Sequence, residues 1–427
     1  MKYSDSVDIL IKNGIVLLAD FSFKNINVGI KGRAISYIGN EEPQAQTIID
    51  ASNMMVLPGF INSHTHAGMH LFRGIADDLK LKEWLEEHIW PLEAKWVSRD
   101  FVKASTELAV LEMIKSGITT FSDMYFFEDE VAKVVENTGI RAILGEGIID
   151  FPTPSFANAL DTLSFVKELA YEYRENERIN ISVAPHSIYT CSLDTLKKAK
   201  EVSNEYNLRL HIHVSETLDE VLDAKRDKKK TPVEYLDSLG LINSRFVAVH
   251  FVHAEKNDIN IMKQREGRII LNIQSNKKLG SGIPHVKEYM NAGLTIGIGT
   301  DSVVSNNDLD MFGEMQDIAM SDLDPQAIRA KDVLSFATIK GAEAWGMDGF
   351  IGSIEVGKRA DIILVDFMKP HLQPLYNPIS SVVYAAHPED VDSVIVDGRI
   401  LMKHREMLTM DEEEILHNAR AYAERIK

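Results

Sequence analysis

The stretch PGFINSHTH, residues 58–66, ends an apolar run with two histidines one residue apart, His64 and His66. Side chains at i and i+2 of a strand share one face, so this pair aims two imidazoles at the same point. That is a chelating arrangement. With 14 histidines in the chain, an HxH can also arise by chance, so its meaning depends on what surrounds it.

Working outward from it, the chain from Pro58 to about Asp301 alternates short β-branched runs with longer helical ones. The runs are GFINSHTH, ITTFSDM, RAILGEGIID, INISVAPH, LRLHIHVSE, FVAVHFVH, RIILNIQS and LTIGIGTD, and eight of them predict an α/β fold of the closed (β/α)8, TIM-like barrel type. Apolar residues recur every three or four positions in Phe101 to Lys115, Glu128 to Asn137 and Ser192 to Tyr206, which predicts helices between strands. The expected barrel domain is 58–352. Residues 1–57 and 353–405 carry further strand-like runs, such as VDILIKNGIVLLAD and GSIEVGKRADIILVDF, and are expected to form one small β-sandwich domain from both termini. Residues 406–427 are expected to end the chain in a helix, amphipathic from Met410 to Ile426.

A chain of 427 residues with 45% hydrophobic and 26% charged residues suits a barrel plus an accessory domain. Its 46 basic residues against 64 acidic ones give a formal charge of −18, which argues against nucleic acid or an anionic membrane as partner and for a small molecule. Cys191 is the only cysteine, so no internal disulfide is available and a reducing compartment is the natural setting. MKYSDSVDILIKNG has no basic segment leading into an apolar one, and no apolar run reaches about 18 residues. The expected location is therefore the cytoplasm.

In such a barrel the chemistry gathers at the C-terminal ends of the strands. The first run ends in His64 and His66, the fourth in His186, the fifth carries His211, His213 and Glu216, the sixth His250 and His253, and the eighth ends at Asp301. A packed core histidine would account for one or two of these. Imidazoles and carboxylates at so many successive strand ends predict a metal site.

These residues resemble the metal-dependent amidohydrolase superfamily. Within it, PGFINSHTHAGMHLFRGIADDL, WLEEHIWPLE, APHSIYTCS, HIHVSET, GTDSVVSNNDLDMFGEM and GSIEVGKRADIILVD resemble the 5′-methylthioadenosine/S-adenosylhomocysteine deaminases, over nearly the whole chain. The resemblance implies that His64, His66, His213 and Asp301 hold one divalent ion, zinc before iron, manganese or nickel. Spacing alone leaves His211 and His213 as alternatives; the family pattern selects His213 and leaves His211 and His253 to packing. Binuclear relatives bridge two metals with a lysine, often at strand four, where this chain reads VAPHSIYT without one. A nucleoside as partner and a homo-oligomer are also implied.

A metal-activated hydroxide needs a base, and Asp301 with His250 are placed to orient it and shuttle its proton. Glu216 points to the reaction class, because hydroxide adds to C6 of adenine only if ring N1 is protonated as the tetrahedral centre forms. By resemblance, Glu93 accepts hydrogen bonds from the ribose hydroxyls, His186 contacts the substrate and Trp84 packs on it. Two departures stand out: relatives read HNPxSN after strand seven where this chain reads LNIQSN, and no arginine lies between Arg141 and Arg174 to meet the carboxylate of S-adenosylhomocysteine. The expected function is hydrolytic deamination of an adenosine analogue. The rivals are a guanine, pterin or triazine deaminase or chlorohydrolase, which would have no ribose for Glu93, and an inactive scaffold, which would be expected to have lost ligands.

Overall fold

The computed structural model describes residues 6–426. Eight parallel strands follow one another around a barrel: Phe60–Thr65, Ile118–Tyr125, Arg141–Ile148, Ile179–Pro185, Arg209–Val214, Phe246–His250, Arg268–Leu271 and Thr295–Ile298. Each of the eight predicted runs supplies one. Strands two and three are buried along their whole length, as expected where helices cover one face and barrel side chains the other.

The eighth strand stops at Ile298, short of the predicted end at Asp301. Asp301 instead bridges Thr65 of strand one in parallel, and its N–H donates to His64 O at 3.0 Å, closing the ring. A Cβ on Gly299 would lie 2.5 Å from Asn272 Oδ1 and 2.7 Å from His64 N, so the closing segment can run this close only as glycine. Helices pack outside. Two of them, Arg99–Lys115 and Leu193–Glu205, start on serine caps, with Ser98 and Ser192 accepting from the Phe101 and Thr195 N–H groups at 3.3 Å.

Strands Ser6–Lys12, Asn27–Lys31, Ala34–Gly39 and Gln44–Asp50 form a four-stranded sheet. A seven-stranded sheet takes Ile15–Leu17, Phe23–Asn25 and Met54–Pro58 from the N-terminal side and Ile362–Asp366, Val391–Val396, Arg399–Lys403 and Glu406–Met407 from the C-terminal side. Ile11, Val28 and Ile30 of the first share a buried cluster with Val56, Ile362 and Ile395 of the second, so the two sheets pack as a sandwich. Met54–Pro58 passes through Gly59 straight into barrel strand one, which ties the HxH strand to the sandwich. Arg141 at the start of strand three clamps Asp361 with two bonds of 2.8 and 3.0 Å, both side chains buried. The final helix, Glu412–Ile426, lies against Arg99–Lys115, with Lys115 Nζ 2.7 Å from Glu412. Among the described residues no helix is long and apolar enough to cross a membrane.

Candidate metal and substrate site

The strand ends bring the predicted ligands to one point. His64 Nε2 lies 3.5 Å and His66 Nε2 3.2 Å from Asp301 Oδ1, and His213 Nε2 lies 3.2 Å from His64 Nε2. Ligand atoms of His64, His66 and Asp301, and likewise of His64, His213 and His250, fall within 4.8 Å of one another. His250 thus stands at the edge of the same cluster.

Hydrogen bonding assigns the lone pairs. His66 Nδ1 bonds the Met124 carbonyl and His213 Nδ1 the His186 carbonyl at 2.8 Å. A carbonyl only accepts, so in both rings Nδ1 carries the proton and Nε2 turns its lone pair inward. Burial, reinforced by the surrounding imidazoles, holds His213 well below the ordinary histidine range; burial brings His64 down to about 4. The second oxygen of Asp301 is occupied by the Ser275 and Ser305 hydroxyls at 2.5 and 2.9 Å, leaving Oδ1 to face the imidazoles. Lone pairs crowded on a carboxylate repel one another until a cation joins them. At His66 burial is overcome, chiefly by Asp301 beside it, and the pKa is raised. Three imidazoles and one carboxylate are a donor set suited to a divalent ion, which displaces any proton from the ligand nitrogens. Strand four ends in Pro185 with His186 beyond it, so no lysine is offered there as a bridge.

The backbone that aims these groups is strained. Ser215, His250 and Asp301 have φ of 53°, 72° and 61°, in the left-handed region that costs a non-glycine residue about 1–3 kcal/mol. At Ser215 the turn is gripped by Glu220, whose carboxylate accepts from the N–H groups of Ser215 and Glu216 at 3.0 and 2.8 Å. Glu216 is thereby swung into the cavity, where its Oε1 accepts from Ser281 at 3.1 Å and its Oε2 lies 3.6 Å from His250 Nε2. Burial, with Asp301 and Glu220 adding their charge, pushes the Glu216 carboxyl well above the ordinary range and so favours its protonated form.

Glu93, His186 and Trp84 line the same cavity as His66, His213, Glu216, His250 and Asp301. Glu93 is buried, accepts from the Tyr125 hydroxyl at 2.8 Å, and is raised by burial to about 7. Burial lowers His186 to about 3, and its Nδ1 meets Thr190 Oγ1 at 3.1 Å. Trp84 begins a π-helical turn, Trp84–Ile89, that leads into Glu93. The remaining wall is largely apolar, including Leu81, Ile89, Trp90, Phe126 and Ile149, and among the described residues no lysine or arginine lines it. At about 80 Å³ the cavity is smaller than the roughly 300 Å³ at which pockets for small-molecule ligands begin.

His253 does not end strand six, which stops at His250; its Nε2 bonds Ser281 O at 2.6 Å. His211 is buried edge-on to Trp345, its pKa driven well below the ordinary range by burial. Both sit outside the converging ligand groups. Sequence reasoning missed Ser305, Tyr125 and the wall residues Trp90 and Ile149. Only Ser275 and Asn276 of the divergent LNIQSN segment carried a signal: Ser275 bonds Asp301 and the Asn276 amide lies 3.0 Å from His250 Nδ1.

Comparison with known proteins agrees with this geometry. Residues 55–401 match the model of the Amidohydrolase family. A protein of Syntrophobacter fumaroxidans named 5-methylthioadenosine/S-adenosylhomocysteine deaminase is 42% identical over 436 residues, covering 99% of both chains. One of Methanosarcina acetivorans named 5′-deoxyadenosine deaminase is 43% identical over 429 residues, covering 98% of both. Among solved structures, an adenosine deaminase of Xanthomonas campestris with bound zinc superposes with a TM-score of 0.97 at 34% identity, covering 99% of each chain.

Proposed function

The chain belongs to the amidohydrolase family, and on that premise we propose that it is a metal-dependent deaminase that replaces the 6-amino group of an adenosine-like nucleoside with oxygen. The observation that carries this reading is the position of Glu216, a buried carboxyl 3.6 Å from His250, in the cavity that His66, His213 and Glu93 also line.

His64, His66, His213 and Asp301 would hold the ion, and zinc suits three imidazoles and a carboxylate. When bound, such an ion supplies the Lewis acidity that makes water a nucleophile at about pH 7. Asp301 and His250 orient that water and take its proton. Glu216 delivers its own proton to ring N1 as C6 is attacked, since the ring cannot otherwise carry the added electron pair. Return of a proton to the exocyclic nitrogen lets ammonia leave, and the ring is left as the 6-oxo product.

Glu93 accepts the ribose hydroxyls and so favours a nucleoside over a free base. His186 and Trp84 flank the purine. With an apolar wall and no cation in it, the cavity suits an uncharged 5′ group, as in 5′-methylthioadenosine or 5′-deoxyadenosine. The test is ammonia release from a panel of adenosine analogues and free bases, with metal content measured on the same sample. Turnover of guanine or a triazine in preference to every nucleoside would overturn the reading.

A further inference from the structure

A chain of buried carboxyl groups lies behind the HxH strand. Asp123, fully buried on strand two, accepts from the Ala67 N–H at 2.7 Å and from the Thr65 hydroxyl at 2.9 Å, gripping the chain on both sides of His66. Glu128, also fully buried, lies close enough that the Asp123 charge helps to raise its carboxyl, after burial itself. Glu128 Oε1 accepts from the Tyr125 N–H at 3.0 Å. Glu146 accepts from the Phe127 and Glu128 N–H groups at 3.2 and 2.9 Å, and Phe127 is left-handed at φ 57°.

The segment held in this way, Met124 and Tyr125, touches both halves of the site. Met124 O receives His66 Nδ1–H, and Tyr125 O–H donates to Glu93 at 2.8 Å. The Tyr125 ring is seated on Gly68, where a Cβ would come within 2.2 Å of it. None of the three carboxyls lines the cavity, so none can exchange a proton with substrate.

We infer that Asp123, with Glu128 and Glu146 holding the backbone that follows it, is a positioning residue that sets the first-strand histidine pair and Glu93 together, through the Met124–Tyr125 strand end. The inference rests on the reading of His66 as a metal ligand and Glu93 as the ribose acceptor. Removing Asp123 leaves the Ala67 N–H and the Thr65 hydroxyl without this acceptor and loosens the backbone on both sides of His66. Asparagine keeps an acceptor oxygen for the Ala67 N–H and the Thr65 hydroxyl.

The test compares Asp123→Ala with Asp123→Asn. Metal-free protein is titrated with Zn²⁺ alone against a chromophoric chelator, and KM for 5′-methylthioadenosine is measured after reloading. Asp123→Ala should bind zinc about 10- to 100-fold more weakly and show a raised KM, while Asp123→Asn stays close to wild type in both. If Asp123→Ala does not fold, Glu128→Ala, which removes the acceptor of the Tyr125 N–H, takes its place. A folded alanine variant with wild-type zinc affinity and KM, whatever its Tm, overturns the inference, as does equal impairment of alanine and asparagine variants. A wild-type protein that neither binds zinc nor deaminates strikes instead at the proposed function.

Discussion

His250 Nε2 faces Glu216 Oε2 at 3.6 Å across the ends of strands six and five. Burial lowers His250 to about 3 and raises Glu216 well above the carboxylate range, which favours the neutral form of each. The arrangement suits an acid beside a base rather than an ion pair, and a left-handed residue, Ser215 before Glu216 and His250 itself, turns each into the cavity. Glu216→Gln keeps the shape and loses the proton. It should hold metal as the wild type does and lose about 10²- to 10⁴-fold in kcat, measured by ammonia release. Turnover near wild type would remove Glu216 from the mechanism.

His66 joins the metal reading to the fold, since it sits one residue after the Thr65–Asp301 bridge that closes the barrel. His66→Ala should lose metal and activity together, with about one ion per chain in the wild type falling toward none by elemental analysis. Two tightly held ions per wild-type chain would reject the single-site geometry.

Glu93 should give the enzyme a pH-dependent affinity. Burial lifts this carboxyl to about 7, with the Tyr125 hydrogen bond and His66 opposing. The ribose hydroxyls donate to its ionised form, so the acceptor is ready above that pKa, and below it binding must first expel a proton. KM for a ribonucleoside should be flat above about pH 7 and rise below it by up to about tenfold per pH unit. Glu93→Gln should raise KM throughout and flatten the limb. A 2′,3′-dideoxy analogue should show no limb with the wild type.

The 5′ substituent tests the wall. Burying an unpaired carboxylate is costly, and the arginine that begins strand three, Arg141, is committed to Asp361 rather than to the cavity. 5′-Methylthioadenosine should therefore exceed S-adenosylhomocysteine in kcat/KM. The reverse by tenfold, about 1.4 kcal/mol, would mean that a cation reaches the site from elsewhere.

The eight barrel strands were legible because runs buried on both faces read as continuous β-branched stretches, and the strand-end histidines and Asp301 because ligands of a shared ion recur at those ends. Direction was not legible. Whether His250 or His253 enters the cavity depends on a left-handed φ at His250, which no pattern of residue types records. Nor was the role of Ser305, whose hydroxyl looks like any other until Asp301 folds back over it at 2.9 Å. The apolar wall, which includes Ile149 and Trp90, was not legible either; Phe151 meets the Trp90 ring edge-on at 5.2 Å. That contact joins the start of the Trp90–Trp96 helix to the segment after strand three, residues far apart in sequence.

The most direct measurement is ammonia released from 5′-methylthioadenosine by one preparation in three states: as loaded with zinc, after chelation, and after zinc is returned. The account predicts one ammonia and one 6-oxo nucleoside per substrate consumed, loss on chelation and recovery on reloading. Full turnover in the chelated, metal-depleted protein, or no ammonia from any adenosine analogue by the zinc-loaded one, would contradict it.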